Sequence, residues 1–380
     1  MEGTPARGAL RHFLAVPDPR KKNIRFRLVD LIAMALLAIL CGAEDWPDVA
    51  LFAKAKKKFL ATFMDLSHGT PSCDTFRRVF ARLQPEAFET AFRNWMTELV
   101  KLSGGQFLAI DGKSLRHSFE HAWDTNSMAH MVSLFATANG QVLTQLAVAG
   151  KGHELAAIRQ ILGLVDLTGA VVSIDALGCQ KDVAEKIVAA GGQYLLALTE
   201  NQPTLYAKVK TLLDEGILTD FADLPCGYHQ ETDAGHGRVE TRRVWVTDQL
   251  HHLKGLEEWQ GLASVAVIEA TREELGGKTS TQRRYYISAI PGRDAAFLAA
   301  AQRGHWGIEN NLHWVLDMIF REDESRLRKG HGAENFSRLR RIALNLLKAN
   351  ARKGSLKGKR KLAGGDHEFL LEVLIGGHIS

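Results

Sequence analysis

Five stretches decide the fold: QFLAIDG (Gln106–Gly112), HMVSLFATANG (His130–Gly140), QVLTQLAVAG (Gln141–Gly150), AVVSIDA (Ala170–Ala176) and YLLALT (Tyr194–Thr199). Each is a short run rich in apolar and β-branched residues, which reads as a strand. Asn139-Gly140 between the second and third is a strong hairpin turn. A helical stretch from about His153 to Val165 separates the third run from the fourth. A second helix, running to Ala190 and stopped by Gly191-Gly192, precedes the fifth. The order is therefore β-β-β-α-β-α-β, an α/β arrangement in which the first and fourth strands can lie side by side. That neighbourhood would bring Asp111 and Asp175 together at the carboxyl ends of their strands, where α/β sheets collect ligands.

Three strands followed by alternating helix and strand is the layout of a ribonuclease H-like mixed sheet with helices on both faces. A third carboxylate belongs with the two aspartates. In HWGIENNLHWVLDMIF (His305–Phe320), α-helical spacing puts Glu309 on one face with Leu312, Leu316 and Phe320, the side expected to pack inward. A carboxylate there needs a partner, and His305 and His313 stand four residues before and after it. Asp111, Asp175 and Glu309 together read as a metal-binding triad for two Mg²⁺ ions, which take oxygen ligands and can activate a water or hydroxyl against a phosphodiester. Taken singly, each aspartate also fits a turn or helix cap, and Glu309 fits the polar border of an amphipathic helix.

Working outward, residues 1–100 read as a helical N-terminal domain. LVDLIAMALLAILCGA (Leu28–Ala43) is a buried helix, Pro47 fits the first turn of the next, and Ser72 or Asp74 can cap a third. The two helices flanking SHGTPS loosely resemble a helix-turn-helix, with Arg77, Arg78 and Arg82 on the second. Residues 101–200 and 291–350 form the expected catalytic domain. Between them, residues 201–290 read as a β-rich insertion, in which RVETRRVWVT, ASVAVIEAT and QRRYYISAI alternate like half-buried antiparallel strands. Residues 351–380 read as a basic C-terminal tail, flexible around ARKGSLKGKRKLAGG.

Composition limits the function classes. The longest apolar stretch, Leu28–Ala43, is 16 residues with Asp30 inside it, shorter than the roughly 20 a membrane span requires. The N-terminus has no early apolar core of a secretory signal, so a cytoplasmic place is expected. The four cysteines are scattered without a Cys-x-x-Cys and read as core residues. Net charge is only +5, but it is uneven: Arg338–Lys361 carries ten basic residues and no acidic one, and Lys54, Lys56, Lys57 and Lys58 form a second cluster. Such patches suit a phosphate backbone. Gly112-Lys113-Ser114 is not the end of a nucleotide-binding loop, because the required glycine five positions earlier is Phe107. His305, Glu309 and His313 do not have the His-Glu-x-x-His spacing of a zinc hydrolase.

AIDGKSLR, KGHELAAI, IDALGCQKDVAEKI, YLLALTENQPTLY, HGRVETRRVW, HWGIENNLHWVLDMIFREDESRLRKGHGAENFSRLRRIALNLLK and the N-terminal LLAILCGAEDW and DTFRRVFARL together resemble the insertion-sequence DDE transposases of the H-repeat-associated type. The likeness runs in order from about Phe13 to Lys348. It implies a ribonuclease H-like catalytic domain, a β insertion before the last acidic residue and a transposase-associated helical domain, with Asp111, Asp175 and Glu309 as catalytic and metal-holding acids. Related enzymes often place Tyr, Arg and Lys around that glutamate, where this chain has Gln302, His305 and Leu316. Further implications are two Mg²⁺ ions with Mn²⁺ as substitute, double-stranded DNA (transposon ends and target) as partner, and a homodimer or higher oligomer on that DNA in the bacterial nucleoid. Expected DNA contacts are Lys113, Arg238, Arg303, His305, His313, Arg326, Arg328, Lys329, Arg338 and Arg341. The competing readings are a Mg²⁺-dependent nuclease or resolvase on the same fold, which cuts without strand transfer, and a DNA-binding remnant without cleavage.

Overall fold

The computed structural model describes residues 8–22, 24–99, 106–118, 128–235, 237–253, 255–274 and 276–375. In chain order the helices are α1 (Leu28–Leu40), α2 (Trp46–Ala55), α3 (Lys57–Leu60), α4 (Cys73–Arg82), α5 (Pro85–Leu99), α6 (Glu154–Leu162), α7 (Lys181–Ala189), α8 (Pro203–Leu218), α9 (Ala295–Ile308), α10 (Trp314–Met318), α11 (Gly332–Ala349), α12 (Leu356–Gly365) and α13 (His367–Ile375). The strands are β1 (Phe107–Ser114), β2 (Ala129–Ala136), β3 (Gln141–Ala149), β4 (Val171–Ile174), β5 (Gln193–Leu198), β6 (Gly227–Gly235), β7 (Arg238–Thr247), β8 (Ser264–Glu274) and β9 (Thr279–Ser288). The architecture is mixed α/β with a large mixed sheet, and the β-β-β-α-β-α-β order is present. No helix among the described residues is long and apolar enough to cross a membrane.

The chain forms two compact units, Met1–Lys101 with Gly112–Ala157 and Glu309–Ser380, and Leu102–Asp111 with Ile158–Ile308. The first is mostly helical. Its centre is α1, whose 13 residues are all buried and which packs on α2 and α11. Two expected helix starts are visible: Pro47 sits in the first turn of α2, where Asp45 also accepts from Asp48 N, and Ser72 accepts from Thr75 N to cap α4. Trp46 stacks on Phe80 at 4.7 Å and meets Phe336 of α11 edge-on at 4.7 Å. The β2–β3 hairpin turns at Asn139-Gly140 as expected, Gly140 taking a left-handed φ of 65°.

Several expectations change in this unit. The stretch expected to be a flexible basic tail is folded as α12 and α13, with Ser355 capping α12 through Gly358 N. Lys359 donates to the carbonyls of Leu347 and Asn350, and Arg360 to that of Ile39. Both are buried. Arg338 and Arg341, expected on DNA, are interior residues at 2% and 0% exposure. Arg338 pairs with buried Glu89 at 3.2 Å and Arg341 with buried Glu322 at 3.0 Å. The physical reason is periodicity: α11 is covered over most of its surface, so arginines on several of its faces meet protein; Arg338 and Arg341 take carboxylate partners, and buried Arg340 donates to the Glu44 carbonyl. The first seven residues of the chain and the last five of the expected tail lie outside the described residues.

The second unit is a sheet in the order β1-β4-β5-β9-β8-β7-β6. β1, β4 and β5 run parallel, and β9 joins β5 antiparallel with Leu195 opposite Ser288. The strands of the segment expected as a β-rich insertion continue the sheet of the parallel strands. Its three expected strands are β7, β8 and β9, and β6 (GYHQETDAG) is an additional edge strand whose polar residues hid it. α9 packs on β4, β5, β6 and β7.

Candidate metal centre

Asp111 and Asp175 are placed by two parallel neighbours. β1 and β4 are paired from Phe107↔Val171 to Ile110↔Ile174, so each aspartate is the next residue after the last registered pair. Asp175 follows the end of β4, but Asp111 lies inside β1, which runs on to Ser114; only its pairing with β4 ends there. Asp175 is exposed, and its Oδ1 accepts from Leu177 N at 3.0 Å, holding the carboxylate as the first turn begins. Asp111 is half-buried.

A residue that sequence reasoning passed over ties this region together. Ser173, 3% exposed on β4, donates its hydroxyl to Leu108 O on β1 at 3.1 Å. The same Oγ lies 3.2 Å from His305 Nδ1 on α9. One buried hydroxyl therefore joins the strand of Asp111, the strand of Asp175 and the helix that leads to Glu309. A serine in an otherwise apolar buried strand is the signal that could have found it, because a buried hydroxyl requires partners.

Glu309 differs from its expected setting. The α-helix ends at Ile308, and Glu309–His313 forms one π-helical turn before α10. Within that turn Leu312 and His313 are buried, while the Glu309 side chain is 66% exposed. The extra residue of a π turn rotates the glutamate off the inward face that α spacing assigned to it, and single π turns of this kind recur at functional sites. His313 Nδ1 stands 3.4 Å from Glu309 Oε2, so the expected histidine neighbour is present. The pair forms an acidic/histidine cluster, and Glu309, His313 and Asp111 are each candidate metal ligands.

The expected DNA-contacting residues divide. Lys113 is 9% exposed, and its Nζ is held between Asp317 at 2.8 Å and Asp323 at 2.7 Å, so it is committed to an internal ion pair. Burial, together with the neighbouring charges of Asp323 and Glu322, pushes the Asp317 carboxyl above its ordinary range despite Lys113. His313 is buried beside Glu309. Neither presents a free cation to DNA. His305 is half-buried against Ser173, and Arg303 forks onto Glu231 and Asp233 of β6 while remaining partly exposed. Arg238, Arg326 and Lys329 are exposed, and Arg328 is half-buried with its Nε donating to His117 O. Arg77, Arg78 and Arg82 line the exposed side of α4.

Comparison with known proteins places this arrangement. The family model described as "Transposase DDE domain" matches residues 102–346, and the "DDE_Tnp_1-associated" model matches residues 10–96. The chain is 35% identical over 370 residues to the "Putative transposase YncI" of Escherichia coli O157:H7, covering 96% of this chain and 94% of that protein. It is 33% identical over 377 residues to the "H repeat-associated putative transposase YhhI" of Escherichia coli K12, covering 98% of each. The "Putative protein YbfL" of the same strain is likewise 33% identical, again over 98% of both chains. The match spans both the helical N-terminal part and the segment carrying all three carboxylates, and the chain belongs to the DDE transposases of the H repeat-associated family.

Proposed function

We propose that this transposase cleaves DNA at the ends of an insertion sequence and joins the freed 3′ ends to target DNA, with Asp111, Asp175 and Glu309 as the carboxylates that hold divalent cations. The observation that carries the reading is the Ser173 node. It links β1 three residues before Asp111, β4 two residues before Asp175, and α9 at His305, one turn before Glu309. The strand orders β3-β2-β1 and β1-β4-β5 fit a ribonuclease H-like sheet.

The donor set fits Mg²⁺ or Mn²⁺. Carboxylate oxygens are the ligands of hard cations, and an imidazole such as that of His313 is tolerated by Mn²⁺ more readily than by Mg²⁺. The candidate ligands Asp111, Glu309 and His313 include two carboxylates and no cysteine; Asp175 is not among them, and its carboxylate is the proposed addition. When bound, such cations lower the pKa of an attacking water or hydroxyl and stabilise the departing 3′ oxygen. Asp111 would hold them from within β1, Asp175 from just past the end of β4, and Glu309 from the π turn. His313 would orient the Glu309 carboxylate, and the Ser173–His305 bond would keep α9 from sliding along the sheet. DNA phosphates would meet exposed cations: Arg238, Arg303, Arg326 and Lys329, together with half-buried Arg328 and Arg77, Arg78 and Arg82 of α4. His305 would stay with Ser173. A homodimer or higher oligomer would pair the two element ends.

The test is incubation of the purified full chain with duplexes bearing the flanking inverted repeats and a target plasmid, with and without Mg²⁺. Metal-dependent end cleavage plus joined products is the expected result. Cleavage without joining would make the protein a nuclease, and end binding without cleavage would make it a remnant.

A further inference from the structure

A second buried polar chain lies behind β1. Side chains alternate along a strand, so Gly112 and Ser114 face the side opposite Asp111 and Lys113. On that side Ser114 Oγ is 3.0 Å from His130 Nδ1, and His130 Nε2 is 3.1 Å from Glu154 Oε2. His130 and Glu154 are 2% and 3% exposed. The chain presses directly on the backbone: a Cβ at Gly112 would stand 2.1 Å from His130 Nε2 and 2.7 Å from Glu154 Oε1. No side chain fits there. The residue bonded to Asp111 is therefore glycine because a histidine–carboxylate pair occupies the space where any other residue would project.

Resting on the proposed metal-holding role of Asp111, we infer that Glu154, acting through His130 and Ser114, is a positioning residue that fixes β1 at Gly112 and so aims the Asp111 carboxylate at its cation. His130 is held at both ring nitrogens, by Glu154 on one strand-distant helix and by Ser114 on β1 itself. The register with β4 ends at Ile110↔Ile174, and an apolar core would bury the strand face beyond it without directional bonds. The directional bond from His130 to Ser114, on a ring that Glu154 holds at its other nitrogen and against which Gly112 is seated, fixes the strand axially. Outer partners of this kind change metal affinity by about ten- to a hundredfold when lost.

The experiment is Mn²⁺ titration of the full chain without DNA, read from the electron paramagnetic resonance signal of free Mn²⁺, with thermal unfolding measured on the same samples. Glu154→Gln keeps the size and a hydrogen bond but removes the charge, and Gly112→Ala displaces the ring. Each is expected to weaken Mn²⁺ binding about tenfold or more. Glu89→Gln, which removes another buried carboxylate of the same unit, is expected to lower thermal stability and leave Mn²⁺ affinity unchanged. Wild-type affinity in either folded variant would overturn the inference; should both fail to fold, Ser114→Ala at the open end of the chain decides by the same criterion. Absence of Mn²⁺ binding by the unaltered protein would instead overturn the metal-holding role of Asp111, and the positioning role with it.

Discussion

Replacing Arg341 by methionine separates two incompatible roles for the most basic stretch of this chain. Arg341 Nη1 is 3.0 Å from Glu322 Oε1, and both side chains are 0% exposed. Ser337 Oγ donates to the same carboxylate at 2.8 Å. Burial alone would raise the pKa of Glu322, but the charges of Arg341, Arg340 and Lys113 and the Ser337 hydroxyl hold it below the ordinary carboxylate value. Removing Arg341 leaves that anion buried without its main partner, a loss of about 3–5 kcal/mol. For a domain of this size, each kcal/mol shifts the melting temperature by about 2–4 °C, so a fall of about 6–20 °C is expected. The double variant Arg341→Met, Glu322→Gln should recover part of it, since the buried anion is then gone, while buried Arg340 loses the Glu322 charge beside it. A surface phosphate contact would behave in the opposite way: stability would hold, and the log-log salt slope of DNA binding would flatten by about 0.9. Circular-dichroism melts and fluorescence-anisotropy binding across a salt series measure both. An unchanged melting temperature with a flattened slope would falsify the interior assignment. The sign with pH is fixed as well. Because the folded pKa of Glu322 is depressed, its contribution is present above the unfolded carboxyl pKa and disappears as pH falls through the folded value, so the wild-type advantage over Arg341→Met should vanish in acid.

Asp111→Asn and Glu309→Gln, which keep size and remove charge, should abolish Mg²⁺-dependent cleavage while end binding measured by gel shift persists; near-normal cleavage by either would remove that residue from the triad. Neutralising the exposed Arg82, Arg326 and Lys329 together should flatten the salt slope by up to about 2.7 for all DNA sequences alike, whereas neutralising the buried Lys359 and Arg360 should lower stability first, and the reverse pattern would move the DNA path to α12. Burial pushes the Lys348 ammonium down to about 8. The folded state therefore binds fewer protons than the unfolded chain between about 8 and 10.4, and stability from this group is greatest above that window and falls as pH drops through about 8, by about 3 kcal/mol in total. Urea midpoints of Lys348→Met should accordingly gain on the wild type as pH is lowered from 10 to 7.5, and parallel curves would show that the lysine is solvated.

Strands were legible where apolar residues recur without charge, as in VVSI and QYLLAL, and so were the turn at Asn139-Gly140 and the helix starts at Pro47 and Ser72, because these depend on local chemistry. The place of Asp111 and Asp175 followed from topology once parallel pairing was recognised. Charge was the misleading signal. Local sequence records that Arg338, Arg341, Lys359 and Arg360 are cations, but whether each meets solvent, a carboxylate or a carbonyl depends on residues outside its own helix, such as Glu89, Glu322 and Ile39. The buried polar chain behind β1 had one visible trace. A glycine within a strand marks a close approach by another group, and Gly112 is such a glycine; its approaching group, the His130–Glu154 pair, could not be named because a glutamate at the start of α6 looks the same whether it caps a helix or anchors a ring.

The π turn at Glu309 shows why a periodic reading fails at the residue that matters most. In an α-helix the inward position after Ile308 recurs three or four residues later, and Glu309 would share that face with Leu312 and Leu316. Both leucines are indeed buried, and so is His313, five residues after Ile308, which is the spacing a π turn supplies. The extra residue lets Glu309, Asn310 and Asn311 loop outward without breaking the apolar seam on either side. Deleting Asn310 should restore α geometry across the segment, with the seam preserved and the glutamate turned inward. Its expected outcome is a folded protein with a melting temperature near or above that of the wild type, weakened Mn²⁺ binding and no cleavage. A variant that melts like the wild type and still cuts would show that exposure of Glu309 does not depend on the π turn.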